Sequence, residues 1–339
     1  MKHKAFFWFM SPSIAAMVLF IAVPIISIAL QSLHSEPDKV VEVIETCGPF
    51  GCTETTLVTD AAEDAGGFFG VFSGLSHYTN RNHLALSEVS VLWSDAESFW
   101  KFVARLLNLP FYKAMTFTLT YTFCVTPLVL FFGLLVAMAV NRLPRPAKGP
   151  IVFTTILPMI VTPLIGSLIL FWMIDSRGII GATIQYIFDD PNLSLKGSIT
   201  LTWITLIVYG VWHHSPFAFV VYYAALQTVP FEQLESATVD GANTWQRVRY
   251  VVLPHLAPVT AFIAMISLMD NVRVFEPIIG FNAGASAQSL SWLVYNDLRN
   301  ETGQLYGSAA ATSILTISVV MVVISPAVVR TIRDFRRTR

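Results

Sequence analysis

The sequence predicts an all-α polytopic membrane protein: six transmembrane helices with a small extracytoplasmic domain after the first. Three observations predict it. Apolar residues make up 54% of the 339-residue chain and charged residues only 13%, against about 25% charged in ordinary soluble domains. The mean hydropathy is +0.62. Six stretches are long and apolar enough to cross a hydrocarbon core about 30 Å thick, which takes about 20 residues of helix. They run approximately over Phe6–Leu33, Tyr112–Val140, Ile151–Ile174, Ile199–Leu226, Leu256–Ile279 and Tyr306–Val329. No segment is basic enough to suggest a nucleic-acid partner.

The first stretch is longer than the apolar region of a cleavable signal, about 7–15 residues, and "SLHSEPDK" is a poor small-x-small cleavage site. It is expected to stay as a membrane helix within a segment 1–33. Charge then sets the orientation, because Lys and Arg collect near helix ends on the cytoplasmic side. With both termini cytoplasmic, the inner pieces are Lys2/Lys4, "NRLPRPAKG", the loop after the fourth span and "RTIRDFRRTR". They hold 12 of the 21 basic residues and only four acids, Glu232, Glu235, Asp240 and Asp334. The expected location is a bacterial inner membrane, in contact with lipid, with a basic tail over 330–339.

Residues 34–109 form the one large non-membrane region, too long for a structureless loop. It has 11 acids and four basic residues. In "ETCGPFGCTET", Cys47 and Cys52 bracket a turn. On the outer side of such a membrane disulfides persist, so a Cys47–Cys52 bridge closing a tight hairpin is expected. Free thiols are the alternative; a metal site is disfavoured without nearby histidines. "ETTLVTD" reads as a strand. "AESFWKFVARLLNLP" reads as an amphipathic helix, with Phe99, Phe102, Val103, Leu106 and Leu107 at helical spacing. Cys124 lies in a span and reads as a packing residue. Pro127, Pro158, Pro163 and Pro216 are expected to kink their spans.

Between the fourth and fifth spans, residues 228–254 break the apolar pattern. In "VPFEQLESATVDGANTWQRVRYVVLP", Phe231, Leu234, Ala237 and Val248 recur at roughly helical spacing, and Gly241 follows two helical turns, where glycine commonly ends a helix. A short helix–turn–helix on the cytoplasmic surface follows. It contains no nucleophile beside a base, no phosphate loop and no metal spacing. It serves either as an interfacial connector or as a docking element for a soluble partner.

The stretch resembles the EAA motif of ABC-importer permeases, E-A-A-x3-G-x9-I-x-L-P. Glu235, Ala237, Gly241, Leu253 and Pro254 match in register; Ser236 stands for the second-position alanine and Val251 for isoleucine. "VDGANTW", "LQTVP", "FTTILPMIVTPLIGSLILFWMI" and "IIGFNAGASAQSLSWLVYND" resemble the sugar-type permeases similar to the maltose and glycerol-3-phosphate importer subunits. The likeness runs from about Phe111 to the end, and the enlarged first outer loop resembles that of the maltose-type subunit. It implies a type I ABC importer permease (MetI-like) bundle over 110–329 that binds no cofactor itself. The partners implied are an ATPase dimer using ATP and Mg, a second homologous permease subunit, a periplasmic solute-binding protein and a small-molecule carbohydrate. In that family the loop is the coupling helix. Glu235, Ser236, Ala237, Asp240, Gly241 and Pro254 are the residues it nominates, with Glu235 contacting a basic group of the ATPase, Gly241 permitting the turn and Pro254 marking the return into the membrane.

Ionisable groups inside spans are functional candidates. The outer half of the fifth span carries Asp270, Asn271, Arg273 and Glu276, and Asp270 and Arg273 are spaced to meet on a helix. They form either a structural ion pair or a substrate contact. The fourth span carries Trp212, His213 and His214, residue types that suit a sugar's apolar face and hydroxyls but equally an interhelix bond. Tyr295 and Asn296 are placed near the outer gate. Residues 34–109 are expected to contact the binding protein. A neutral carbohydrate is the default solute; Arg273 leaves an anionic derivative, a sugar phosphate or sulfonate, open. A secondary transporter would need an inverted repeat and broken helices at mid-membrane. No repeat is visible, and that reading leaves Glu235–Pro254 unexplained. A membrane receptor or assembly factor would need no polar groups in its spans.

Overall fold

The computed structural model describes residues 3–35, 39–48, 51–60, 70–299 and 305–337, and over 39–60 the backbone alone. The chain divides into two compact units, residues 1–113 with 293–318 and residues 114–292 with 319–339.

The first unit opens with α1 (His3–Met17), which passes through a π turn at Val18–Ala22 into α2 (Val23–Gln31). The turn has a local cause. Pro24 has no N–H and its ring crowds the carbonyl four residues back, and Val23 N–H bonds five residues back, to Val18 O. Strands β1 (His34–Ser35) and β4 (Val71–Phe72) pair antiparallel. Strands β2 (Lys39–Gly48) and β3 (Gly51–Asp60) form the expected hairpin, in a register that sets Cys47 directly opposite Cys52; their side chains, and so the expected disulfide, lie outside the described residues. Three helices follow: α3 (Ser76–Thr79), α4 (Leu86–Ser94) and α5 (Phe99–Leu106), the last being the expected amphipathic helix.

The second unit is built around α6 (Pro110–Asn141) and α10 (Ile199–Leu226). They approach closely at Gly133, where a Cβ would come within 2.5 Å of the Ala218 Cβ. Small residues let membrane helices meet in this way, since lipid supplies no hydrophobic drive between them. Phe117, Tyr121, Val125, Leu206, Phe219 and Tyr222 form the buried seam with Leu256 and Ile263 of α13 (Leu253–Val272).

Two expectations need correction. The third span is not one helix. It is α7 (Arg145–Ile160) and α8 (Pro163–Met173), bent by 95°. Pro163 disfavours the helical conformation at the residue before it, and both Val161 (ψ 127°) and Thr162 (ψ 144°) are extended. At 1.5 Å per residue α7 reaches about 24 Å and α8 about 16 Å, so neither half alone crosses a 30 Å core. Among the described residues five helices are long and apolar enough to span, or six with the bent pair counted as one.

The fifth span is also displaced. It begins at α12 (Thr244–Arg247), passes a second π turn at Val248–Val252 ahead of Pro254, and ends at Val272. Pro277 cannot donate to the Arg273 carbonyl and its ring crowds that group, which stops the helix. Glu276 therefore lies on a separate short helix, α14 (Glu276–Gly280), packed on α8. Helices α9 (Ile179–Phe188), α15 (Leu290–Leu298) and α16 (Tyr306–Arg337) complete the chain, with α11 (Phe231–Val239) between α10 and α12.

Candidate functional site

The polar loop between the fourth and fifth spans folds as a closed local unit. After α11, Gly241 takes φ +80°. Ala242 N–H bonds Ala237 O at 2.9 Å and Gly241 N–H bonds Thr238 O at 3.1 Å, the paired bonds of a Schellman ending. Only glycine holds that conformation without strain. The next helix starts at once. Asn243 Oδ1 accepts from Gln246 N–H at 2.9 Å, and Gln246 Oε1 accepts from Asn243 N–H at 2.8 Å, a reciprocal capping box. Arg247 then ties the two helices by donating to Thr238 Oγ1 (3.2 Å) and Thr244 Oγ1 (3.3 Å).

What this unit presents is unsatisfied. Glu235 and Asp240 are exposed and form no ion pair among the described residues. Phe231, Val239, Trp245 and Tyr250 are also exposed, Val239 to 88%. A crevice of about 620 Å3 opens between α11 and the start of α13, lined by Glu232, Ser236, Ala237, Asp240, Tyr250 and Pro254 among others. At the base, Thr228 Oγ1 and His255 Nε2 lie 3.1 Å apart, joining the end of α10 to the start of α13.

Within the spans the nominated residues separate. Asn271 is 1% exposed; its amide donates to Thr126 Oγ1 of α6 at 3.0 Å, and its Oδ1 has no partner. His213 is buried and stacks on Tyr209, with ring centroids 5.8 Å apart at 12°, and its Nδ1 has no partner. Glu276 lies within electrostatic reach of His213, and Asp270 of His214. His214 meets the His213 ring edge-on. Trp212 points elsewhere: half-exposed, it lines an apolar crevice of about 510 Å3 with Leu128, Phe132, Pro158 and Ser215. Asp270 and Arg273 are bonded to each other at 2.9 Å and are both substantially exposed, which favours the ion-pair reading.

One contributor went unnoticed in the sequence. Tyr209 donates its hydroxyl to Pro163 O at 2.8 Å, at the break in the third span. It also presses on Gly166, where a Cβ would come within 2.6 Å of the hydroxyl. Non-helical backbone at membrane depth persists where protein covers it or it lines a cavity. Pro163 marked the place; no sequence signal marked Tyr209 as its partner.

Tyr295 and Asn296 fall in the first unit, where Tyr295 is hydrogen-bonded to Arg299 and Asn296 is exposed. The buried group there is their neighbour. Asp297 accepts from Ser308 Oγ at 2.8 Å, and His83, 1% exposed, sits 2.8 Å from Thr312 Oγ1 and 3.1 Å from Ser308 O. Burial lowers the His83 imidazole below its ordinary value and raises the Asp297 carboxyl above its own. For His83 the unfolded chain binds the proton more readily, so its contribution to stability is lost as pH falls below the ordinary histidine value of about 6.5. The Asp297 effect has the opposite sign but acts from the carboxylate range upwards. The melting temperature of the purified protein should therefore fall on acidification below about pH 6.5, and His83→Gln should flatten that slope. An unchanged slope in the variant would remove His83 as its source.

Residues 102–334 match the family model of the binding-protein-dependent transport system inner membrane component. The arabinooligosaccharides transport system permease protein AraP of Halalkalibacterium halodurans is 27% identical, over 74% of this chain and 81% of its own. The sn-glycerol-3-phosphate transport system permease protein UgpA of Rhizobium meliloti is 25% identical, over 68% and 78%. The diacetylchitobiose uptake system permease protein DasB of Streptomyces coelicolor is 24% identical, over 74% and 77%. The fold is similar to a chain in the crystal structure of a bacterial ABC transporter importing the acidic polysaccharide alginate, with a TM-score of 0.59 at 23% identity, covering 74% of this chain and 90% of that one.

Proposed function

Because the chain belongs to the family of binding-protein-dependent transport system inner membrane components, we propose that it is the multi-pass, non-catalytic subunit of an ATP-driven importer for a carbohydrate. The relatives' named solutes, arabinooligosaccharides, diacetylchitobiose and sn-glycerol-3-phosphate, are all polyhydroxylated. Arg273 is already neutralised by Asp270, which favours an uncharged sugar over an anionic one.

The observation that carries the reading is the loop around Gly241: a rigid helix–turn–helix tied to two spans, with Glu235 and several apolar side chains unpartnered at its surface. Such a unit suits the grip of an ATPase subunit, whose closure would move α10 and α13 together. Both termini and this loop are then cytoplasmic. A second permease subunit completes the pathway, and a solute-binding protein delivers the sugar on the opposite side of the membrane. Docking and ATP favour one state of the bundle and hydrolysis the other. The test is isolation of the protein from its native membrane in mild detergent. An ATPase subunit should accompany it, and proteoliposomes of that complex should take up a labelled oligosaccharide only with ATP inside. Recovery without any ATPase would overturn the reading.

His213 and Asn271 are the in-membrane residues most suited to touch the solute, since each carries a buried polar atom with no protein partner. His213→Ala and Asn271→Ala are each expected to lower solute-stimulated uptake about tenfold, the equivalent of one lost hydrogen bond of about 1.4 kcal/mol. ATP hydrolysis without solute should stay unchanged. Undiminished uptake in both variants would exclude them from the pathway.

A further inference from the structure

Helices α4 and α5 have no role in the mechanism above, and they carry an open aromatic surface. Trp93 is 63% exposed, Phe99 61% and Trp100 77%, with Val91 and Leu107 exposed beside them. In α5 the apolar Phe99, Phe102, Val103 and Leu106 share one face, and Lys101 and Arg105 lie opposite. Trp93 meets Phe102 edge-on at 5.1 Å, so α4 and α5 present their aromatic groups together.

The connection to α6 says what covers this surface. Only Leu107, Asn108 and Leu109 separate α5 from the first turn of α6, a reach of at most about 10 Å. At the other end, Tyr112 in that first turn donates its hydroxyl to Leu84 O at 3.0 Å, two residues before α4 begins. The pair of helices is therefore strapped to the first turn of α6 at both ends. Helix α6 has 32 residues and so runs about 48 Å, longer than the 30 Å hydrocarbon layer. The surplus length puts its first turn, with Lys113, at headgroup level if the apolar stretch that follows fills the hydrocarbon layer, and α4 and α5 are tied to that turn. Tryptophan and phenylalanine beside basic residues are the composition of an interfacial helix. Arg105 has no carboxylate partner among the described residues, whereas Lys101 is paired with Glu97, which leaves Arg105 for anionic phosphates.

We infer that α4 and α5 lie in the bilayer surface at the mouth of the second span, with Trp93, Phe99 and Trp100 seated at the boundary between headgroups and acyl chains. They make a lipid anchor for the non-membrane region. The hairpin of β2 and β3 is left for other partners.

Tryptophan fluorescence of the full chain tests this in nanodiscs of phosphatidylcholine and phosphatidylglycerol. The Trp100 contribution is the difference between the natural protein and Trp100→Phe. It should be blue-shifted, and phosphatidylcholine brominated near the head of its acyl chains should quench most of it, while aqueous iodide leaves it largely intact. A red-shifted contribution quenched by iodide and not by brominated lipid would overturn the anchor and place Trp100 in water. Protection from both quenchers would overturn it in favour of a protein cover. Melting temperatures equal to within error for the two proteins keep the comparison free of folding effects.

Discussion

A protein carrying Glu235→Ala is expected to insert and fold as the natural one does and to lose about 10- to 100-fold of its ATP-driven uptake. The range corresponds to one charge-assisted hydrogen bond of about 1.5–3 kcal/mol across an interface. Insertion should survive because Glu235 is exposed and bonds nothing within the described chain, so its removal disturbs no internal contact. Two readings separate the effects: sugar uptake by proteoliposomes of the complex, and ATP hydrolysis by the same sample. The coupling role predicts that uptake collapses while the complex in the same sample still hydrolyses ATP. Uptake at the natural level would sink it. A variant that no longer reaches the membrane would show that the residue serves folding instead.

The second large effect is expected at Gly280. There α14 packs on α8 so tightly that a Cβ would lie 1.9 Å from Ser167 Oγ and 2.9 Å from the Leu164 carbonyl oxygen. Real Cβ atoms do not approach so closely. Gly280→Ala must therefore displace α14, and with it Glu276 and the broken third span. Overpacking of this kind costs about 1–3 kcal/mol. The melting temperature in detergent should fall clearly, and Ser167→Gly in the same chain should restore part of the loss by removing the nearer clash. An undisturbed melting curve for Gly280→Ala would mean that α14 and α8 are not in this contact.

The helix–turn–helix around Gly241 was legible in outline, because its structure is set locally. Gly241 ends one helix, Asn243 starts the next, and neither consults the rest of the fold. The hairpin around Cys47 and Cys52 was legible for the same reason: two strand-forming runs flank a turn sequence. The third span was not. Pro163 predicted a kink, but the 95° bend is packed by Tyr209, which bonds the Pro163 carbonyl and sits against Gly166, and by Gly280 against Ser167, partners distant in sequence. Broken helices were the feature expected of a secondary transporter; here one appears in an importer permease, so the feature alone does not separate the classes. The position of Glu276 outside the fifth span also has a local mark. Pro277 stood in the sequence, and its missing N–H ends α13 at Val272. The polar pair His83 and Asp297 was out of reach, since 214 positions separate two residues that share one buried network.

The doubly capped loop around Gly241 has a thermodynamic consequence for whatever docks there. A flexible loop must be ordered at the moment of association, at about 0.5–1.5 kcal/mol for each immobilised side chain and more for backbone. Here the Schellman bonds, the capping box and the Arg247 ties fix the backbone during folding. Association is thus relieved of that ordering term. If a partner grips Glu235 as proposed, the same stiffness would pass a displacement there on to α12 and the start of α13 instead of absorbing it in the turn.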